Sequence, residues 1–187
     1  MGLLSFFPKV QAIVKDKGTE YVSISRVSKS ITTKTINSTS NVLLQDNSII
    51  TNGDLLEING DSYFVTAKRE SIVNTVCQLQ KVNCSISIVR LEKQYSPTGA
   101  FTGKYVEQLL YSDVPALYTD VSARMILLDP GMLASTTREF ILPKLAGIQL
   151  LDRIKLGTDI GQIDSINSTK YENLWTIQTS IDKRGTA

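Results

Sequence analysis

One pattern of strands and turns occurs twice in this sequence. Residues 53–90 contain an Asp, a short apolar alternation, a Gly turn, a second strand, a polar turn and a third strand, and residues 151–184 contain the same series. Alternation with a period of two places successive side chains on opposite faces of a strand. Gly-rich turns between such strands are typical of antiparallel hairpins. Repeated hairpins of this kind build small β-barrels, which limits the folds open to the chain.

Both copies of the pattern begin with an aspartate and end near an arginine. Asp54 and Arg90 bound the first copy, and Asp152 and Arg184 bound the second. An Asp at the start of a strand can accept hydrogen bonds from backbone N–H groups of the adjacent turn. It can also pair with the arginine that closes its copy. We predict structural roles at turns and strand ends for all four residues, with metal binding or acid catalysis as the alternative.

The chain divides into four segments by composition and periodicity. Residues 1–18 predict an N-terminal helix or arm, with a helix over 5–17. Residues 19–93 and 114–187 predict two β units, because they hold many short strands between Gly and Pro turns. Residues 94–113 contain Gly and Pro with few aliphatic side chains, which predicts a loop or linker. We therefore predict a mainly-β protein: small antiparallel β-barrel or sandwich units with a short N-terminal helix and long loops.

Two local predictions refine this division. Residues 123–128 are apolar and precede the turn at 129–131, so we predict a strand that ends there. Residues 28–41 are rich in Ser, Thr and Lys, so we predict a polar loop apart from a possible strand over 32–36.

Residue content excludes several classes of enzyme. The sequence of 187 residues has no histidine, which removes Ser-His-Asp and Cys-His catalysis and His-ligated zinc. Cys77 and Cys84 cannot form a four-thiolate site, and we predict two buried or half-buried thiols. No Gly-rich phosphate loop follows the spacing that nucleotides require. We predict no enzymatic activity, no cofactor and no metal site.

Other residues are candidates for contacts with partners. Phe6 and Phe7 lie in an apolar run that either packs on its own domain or docks on another protein. Trp175 lies in an alternating strand, which predicts burial in a core or an interface. Lys29 and Lys34 lie in the polar segment and are predicted to face a channel, where they would contact phosphate groups weakly. No run reaches the roughly 18 apolar residues of a membrane span, so we expect no membrane association.

The first copy of the repeat resembles a hairpin of small tailed-bacteriophage neck proteins. The run Gly53–Val65 is similar to their pattern of Gly-Asp, alternating aliphatics, a Gly turn and a Tyr-x-Val strand. The stretch Arg138–Arg184 is similar to their closing part: a strand into Pro143 and an aliphatic-Asp-Arg-Ile entry at Leu151–Ile154. The second copy lacks the Tyr. The resemblance covers under half of the chain and identifies the head-completion, stopper or head–tail connector type.

Such a resemblance implies a function in assembly. It implies a virion structural protein, assembled in the host cytoplasm, that forms a homo-oligomeric ring in the head–tail neck through which DNA passes. Its partners would be the portal or adaptor and tail proteins of the same particle, with possible non-specific contact to packaged DNA. An adaptor in the tail or baseplate is the alternative, and a carboxylate-dependent hydrolase is a remote one.

Overall fold

The computed structural model describes residues 8–31, 36–45, 47–70 and 75–184, and within 25–31 and 36–39 it describes the backbone. The chain forms two compact units: Met1–Val82 with Ser168–Leu174, and Asn83–Asn167 with Trp175–Ala187. Each unit contains one closed β-barrel of six strands. The predicted mainly-β fold built from small antiparallel barrels is confirmed.

The first barrel consists of six antiparallel strands in the order β1-β2-β3-β6-β5-β4, and β4 pairs back with β1 to close it. The strands are β1 (Lys9–Val14), β2 (Gly18–Ile31), β3 (Ile36–Leu44), β4 (Leu55–Ile58), β5 (Asp61–Glu70) and β6 (Thr75–Lys81). Ala12 and Val14 of β1 point into the core, whereas Ile13 between them is 49% exposed. This alternation is the period of a strand with one buried face.

The second barrel has the order β7-β8-β9-β12-β11-β10, and β10 pairs back with β7. Its elements are β7 (Cys84–Tyr95), β8 (Phe101–Asp120), the short helix α1 (Ala123–Leu128), β9 (Arg138–Pro143), β10 (Arg153–Leu156), β11 (Asp159–Asn167) and β12 (Leu174–Ile181). Ile86 and Ile88, which the alternation of residues 85–90 places on one face, are both buried in its core. Trp175 packs against the same core and is half buried.

The two barrels have the same topology. If the strands of each barrel are numbered one to six in chain order, both follow the order 1-2-3-6-5-4. The repeated sequence pattern corresponds to strands four to six of each barrel. Both copies also have a β-bulge at the same place, between Val65 and Ala67 in one and between Ile163 and Ser165 in the other. A bulge at matching positions indicates that the copies are structurally equivalent.

The predicted N-terminal helix is wrong in the part of the chain that the structure describes. Residues 9–14 form strand β1, which pairs with β2 on one side and β4 on the other. The spacing of Val10 and Val14 suits both a helix face and alternate strand positions, so periodicity does not decide between them. Pairing with two neighbouring strands decides it, because both satisfy the backbone of this segment.

The predicted linker is also different in the structure. Residues 94–113 form the end of β7, a tight turn at 96–100 and the first part of β8. Most of these side chains are exposed, which explains why the segment has few aliphatics although it is a hairpin. Residues 84–93, which the sequence assigns to the first β unit, form β7 and belong to the second barrel, because β7 pairs with β8 and β10.

Two further segments differ from expectation. Residues 123–128 form helix α1, the helix present among the described residues, and the Ser122 hydroxyl caps it by accepting a hydrogen bond from the Met125 N–H at 3.4 Å. The described parts of the polar segment, 28–31 and 36–41, extend β2 and β3 as paired strands, with Ser28 opposite Thr39 and Lys29 opposite Ser38. The possible strand over 32–36 lies outside the described residues except for its last position. Apolar content predicted a strand in the first case and polarity predicted a loop in the second. Neither local signal determines pairing.

The two cysteines are free thiols in different barrels. Cys77 is buried and Cys84 is half buried. Burial raises the pKa of the Cys77 thiol to about 12 and that of the Cys84 thiol to about 11. Because the thiolate is the reactive form, we expect both to react slowly with a maleimide at pH 8 in the folded protein and rapidly in denaturant. Mass spectrometry of timed samples measures this, and rapid labelling of Cys77 in the folded protein would contradict the assigned core.

In the parts of the chain that the structure describes, no helix has both the length and the apolar character that a membrane span requires.

Candidate assembly site

The segment that enters the fourth strand makes the same hydrogen bonds in both barrels. The Thr51 N–H donates to Asp54 Oδ2 at 2.8 Å, and the Gln149 N–H donates to Asp152 Oδ2 at 2.8 Å. The carbonyl oxygens of the two aspartates accept equivalent bonds as well: the Val65 N–H donates to that of Asp54 at 2.9 Å, and the Ile163 N–H donates to that of Asp152 at 2.8 Å. Each carboxylate therefore fixes the turn that leads into the strand which closes its barrel.

Each of these carboxylates also binds a cation from the opposite side of the closing strand pair. Lys17, in the turn between β1 and β2, contacts Asp54 at 2.8 Å. Arg90 of β7 binds Asp152 with two hydrogen bonds of 2.8 Å, one from Nε and one from Nη2. These bonds raise the pKa of Arg90. Among the described residues, these pairs differ from those that the sequence copies suggest, because Arg90 binds Asp152 of the second copy and not Asp54 of its own copy.

The two ion pairs differ in burial. The side chain of Asp152 is 4% exposed, whereas that of Asp54 is 14% exposed and its partner Lys17 is 36% exposed. A bidentate arginine pair with a desolvated carboxylate contributes more than an exposed lysine pair. The closure of the second barrel therefore depends more strongly on its ion pair than that of the first.

The residue before each aspartate has a left-handed backbone. Gly53 has φ 85° and its equivalent Leu151 has φ 71°. Because a side chain is strained in this region, we expect Leu151→Gly to stabilise the second barrel by about 0.5–1 kcal/mol. Leu150 is a matched control, since both leucines are 57% exposed and Leu150 has no positive φ. Leu150→Gly should destabilise slightly in urea titrations; equal effects of the two changes would contradict the assigned strain.

A cluster of five charged side chains joins three parts of the second unit. This charged cluster consists of Glu107, Arg153, Lys155, Asp182 and Arg184. Arg153 is 1% exposed overall, and its guanidinium binds the carboxylate of Asp182, which is also buried. Arg184 binds Asp182 as well, at 2.8 Å from Nη2 and 3.0 Å from Nε. The residues after β12 are thereby fixed to β10.

Glu107 connects this cluster to β8. Its Oε1 accepts a hydrogen bond from Arg153 Nη1 at 3.0 Å, and Oε2 accepts one from Lys155. The hydrogen bonds from Lys155 and from Arg153 hold the pKa of Glu107 below its ordinary value, although burial acts in the opposite direction. Burial also raises the pKa of Asp182, but the bonds from Arg184 and Arg153 outweigh it and lower that pKa to about 2. Both acids are therefore ionised at neutral pH.

From about Glu107 to its turn, the β7–β8 hairpin is a two-stranded ribbon. The β7–β8 ribbon comprises residues 90–95 and 101–108, and among the described strands these residues pair only with each other. The contacts of β7 with β10 are at 87–89, and those of β8 with β9 are at 117–120. An isolated two-stranded hairpin is marginally stable in water. The outer edges of this ribbon, with unpaired backbone groups, are therefore suited to a partner.

Aromatic side chains surround the end of this ribbon. Phe101 lies 6.2 Å from Tyr95 and 5.6 Å from Tyr105 between ring centroids, in edge-to-face geometry. Lys93 Nζ lies 5.8 Å from the centroid of the Phe101 ring. Tyr95 is 59% exposed and Phe101 is 45% exposed. The aromatic cluster Tyr95, Phe101 and Tyr105 therefore stabilises the hairpin and leaves apolar surface open, the combination found in protein interfaces.

The remaining candidate residues lie in several places. Phe6, Phe7 and Lys34 lie outside the described residues, and Lys29 lies in the part of β2 where only the backbone is described. Their roles as interface or channel residues stay predictions. Trp175 packs against the core of the second barrel and is partly buried.

Apart from Arg184, which the sequence marks as a strand-end residue, the members of the charged cluster and of the aromatic cluster are not candidates from the sequence. A charged residue at the first position of a strand in an apolar alternation, as in Arg153-Ile154-Lys155-Leu156, is a signal for a buried ion pair. Aromatics on both sides of a Pro-x-Gly turn, as at 95–105, are a signal for a hairpin. Among the described residues, no group of three or more acidic, Cys or His side chains is arranged to bind a metal ion.

Comparison with known proteins gives no further assignment: no protein-family model matches this sequence, and no curated protein matches it either.

Proposed function

We propose that this protein is a structural component of a tailed-bacteriophage virion, which forms a homo-oligomeric ring in the head–tail neck or connector and has no enzymatic activity. The observation that carries the proposal is the β7–β8 ribbon, which extends past the paired part of the barrel with exposed aromatics and two unpaired edges. A barrel that projects such an element is suited to binding a neighbour. The charged cluster holds the base of the ribbon in a fixed position.

The residues that carry the resemblance to neck proteins support the same proposal. Gly53–Val65 forms the entry turn, β4 and the start of β5, and Leu151–Ile154 forms the equivalent entry into β10. The pattern thus lies on matching hairpins in two barrels of identical topology. Each barrel therefore presents an equivalent hairpin that is available for contacts with a neighbour.

The proposal is tested by locating the protein in particles. Antibody labelling or cryo-electron microscopy of virions of the phage that encodes this chain should place it at the head–tail joint, in contact with portal or adaptor and tail proteins. Density at the distal end of the tail would instead support the tail or baseplate adaptor. Absence of the protein from virions would contradict both assignments.

A further inference from the structure

The segment that joins β11 to β12 belongs to the first unit, although both strands are part of the second barrel. This segment consists of residues 168–173 and lies between Asn167, the last residue of β11, and Leu174, the first residue of β12. Its residues group with Met1–Val82. The clip, as we call residues 168–173, is therefore fixed at both ends by strands of the second barrel while it forms part of the first unit.

The clip forms two hydrogen bonds with the turn that leads into β4. Asn52 Nδ2 donates to Glu172 Oε2 at 2.7 Å, and Asn173 Nδ2 donates to the Asn52 carbonyl oxygen at 3.1 Å. The same turn is fixed by the carboxylate of Asp54, which accepts a hydrogen bond from the Thr51 N–H. The clip thus binds the turn that leads into the closing strand of the first barrel.

Gly53 shows how closely the clip approaches this turn. A Cβ atom at Gly53 would lie 2.5 Å from the Asn173 Cβ and 3.0 Å from the Glu172 carbonyl oxygen, so a side chain there would displace the clip. In the second barrel the equivalent position holds Leu151, which is 57% exposed. A turn of this kind therefore accommodates a side chain, and the close approach of the clip is what requires glycine in the first barrel.

We propose that the clip couples the stabilities of the two barrels. Opening of the second barrel releases both ends of the clip, and a free segment loses conformational entropy when it binds the turn. The two hydrogen bonds therefore form fully only while both barrels are folded, and their free energy adds to the opening free energy of each barrel. Such coupling is reciprocal, so it protects both barrels by the same factor. It is a property of the single chain and does not depend on ring assembly.

Hydrogen exchange of one amide in each barrel tests this coupling in the 187-residue chain. Gly53→Ala displaces the clip by a substitution in the first unit. We expect it to raise the exchange rate of the Ile163 amide, in the second barrel, about tenfold, since two hydrogen bonds are lost. Gly60→Ala is the matched control, because Gly60 has a similar φ of 81° and an added Cβ would have no described atom within 4 Å. The control should raise the exchange rate of Val65, in the first barrel, and leave that of Ile163 unchanged.

A substitution in the clip tests the coupling in the opposite direction. Glu172→Ala removes the acceptor of the Asn52 bond and should raise the exchange rate of the Val65 amide about fivefold. Glu92→Ala is its control, because Glu92 is also an exposed glutamate but lies on β7. It should leave the Val65 rate unchanged.

Three results would overturn the coupling. The first is an unchanged Ile163 rate in Gly53→Ala, and the second is an equal rise of that rate in Gly60→Ala. The third is a Val65 rate that Glu172→Ala and Glu92→Ala change equally. If Gly53→Ala does not fold, the comparison of Glu172→Ala with Glu92→Ala decides, since both replace exposed side chains.

Discussion

Replacing Asp182 by Asn is expected to destabilise the second barrel by about 3 kcal/mol, because removing one partner of a buried ion pair leaves the other charge uncompensated. Arg153 is buried against Asp182, and its remaining partner Glu107 is partly exposed. Trp175 is the only tryptophan and packs against the core of this barrel, so its fluorescence in urea titrations reports the loss directly.

Asp113→Asn provides the matched control. Asp113 is also an aspartate of the second unit, but it is exposed and has a φ of 53°, which Asn adopts as readily as Asp. We expect its effect to be below about 0.5 kcal/mol, as for most surface substitutions. If Asp182→Asn were equally mild, the charged cluster would not be a structural determinant of the barrel.

Asp182→Asn should also change the dependence of the protein's stability on pH. The pKa of Asp182 is about 2 in the folded protein, compared with about 3.9 for an unperturbed Asp. A lowered pKa contributes stability that is present above about pH 4 and is lost as pH falls through 2, on the order of 2–3 kcal/mol. The difference between wild type and Asp182→Asn should therefore shrink from pH 4 to pH 2. A constant difference over this interval would contradict the assigned ion pairs.

The second large effect is expected at the aspartates that close the barrels. Asp152→Asn should destabilise the second barrel by about 3 kcal/mol, since it breaks a bidentate pair with a buried carboxylate. Asp54→Asn should cost about 1 kcal/mol in the first barrel, because Lys17 is exposed to solvent and screened. Hydrogen exchange of the Ile163 and Val65 amides, which bond to the carbonyls of these aspartates, measures each barrel separately.

A double-mutant cycle tests the pairing itself. Arg90→Gln with Asp152→Asn should cost less than the sum of the single changes, because each single change already removes the interaction. Arg184→Gln with Asp152→Asn should be closer to additive, since the cation that binds Asp152 is Arg90 and Arg184 binds Asp182. Equal coupling in both cycles would contradict the assigned pair, and stronger coupling with Arg184 would favour the pairing of Asp152 with the arginine of its own sequence copy.

Much of the fold follows from the sequence because turns and alternation are local. Gly53–Val65 and its counterpart at 151–163 were identified as hairpins, and they form equivalent strands with the same bulge. The Asp-centred turn is encoded by a few adjacent residues, so its hydrogen bonds are accessible to sequence reasoning. Which strand each hairpin joins next depends on contacts distant in the chain.

The candidate site shows what local patterns leave undetermined. Residues 94–113 carry the Gly and Pro of a loop, yet they form a hairpin because the aromatics across the turn contact each other. Glu107 lies in this segment and its partners lie 46 and 48 positions away. Side-chain pairing over such separations is determined by the closure of the barrel, and no spacing rule of a single strand predicts it.

Assembly is the central claim, and the mass of the purified full-length protein at micromolar concentration tests it most directly. Light scattering coupled to size exclusion, with negative-stain images of the same fraction, should show rings of several 20.6 kDa subunits, either alone or on addition of the portal protein from the same particle. A 20.6 kDa monomer under both conditions, with no ring in the images, would contradict the account.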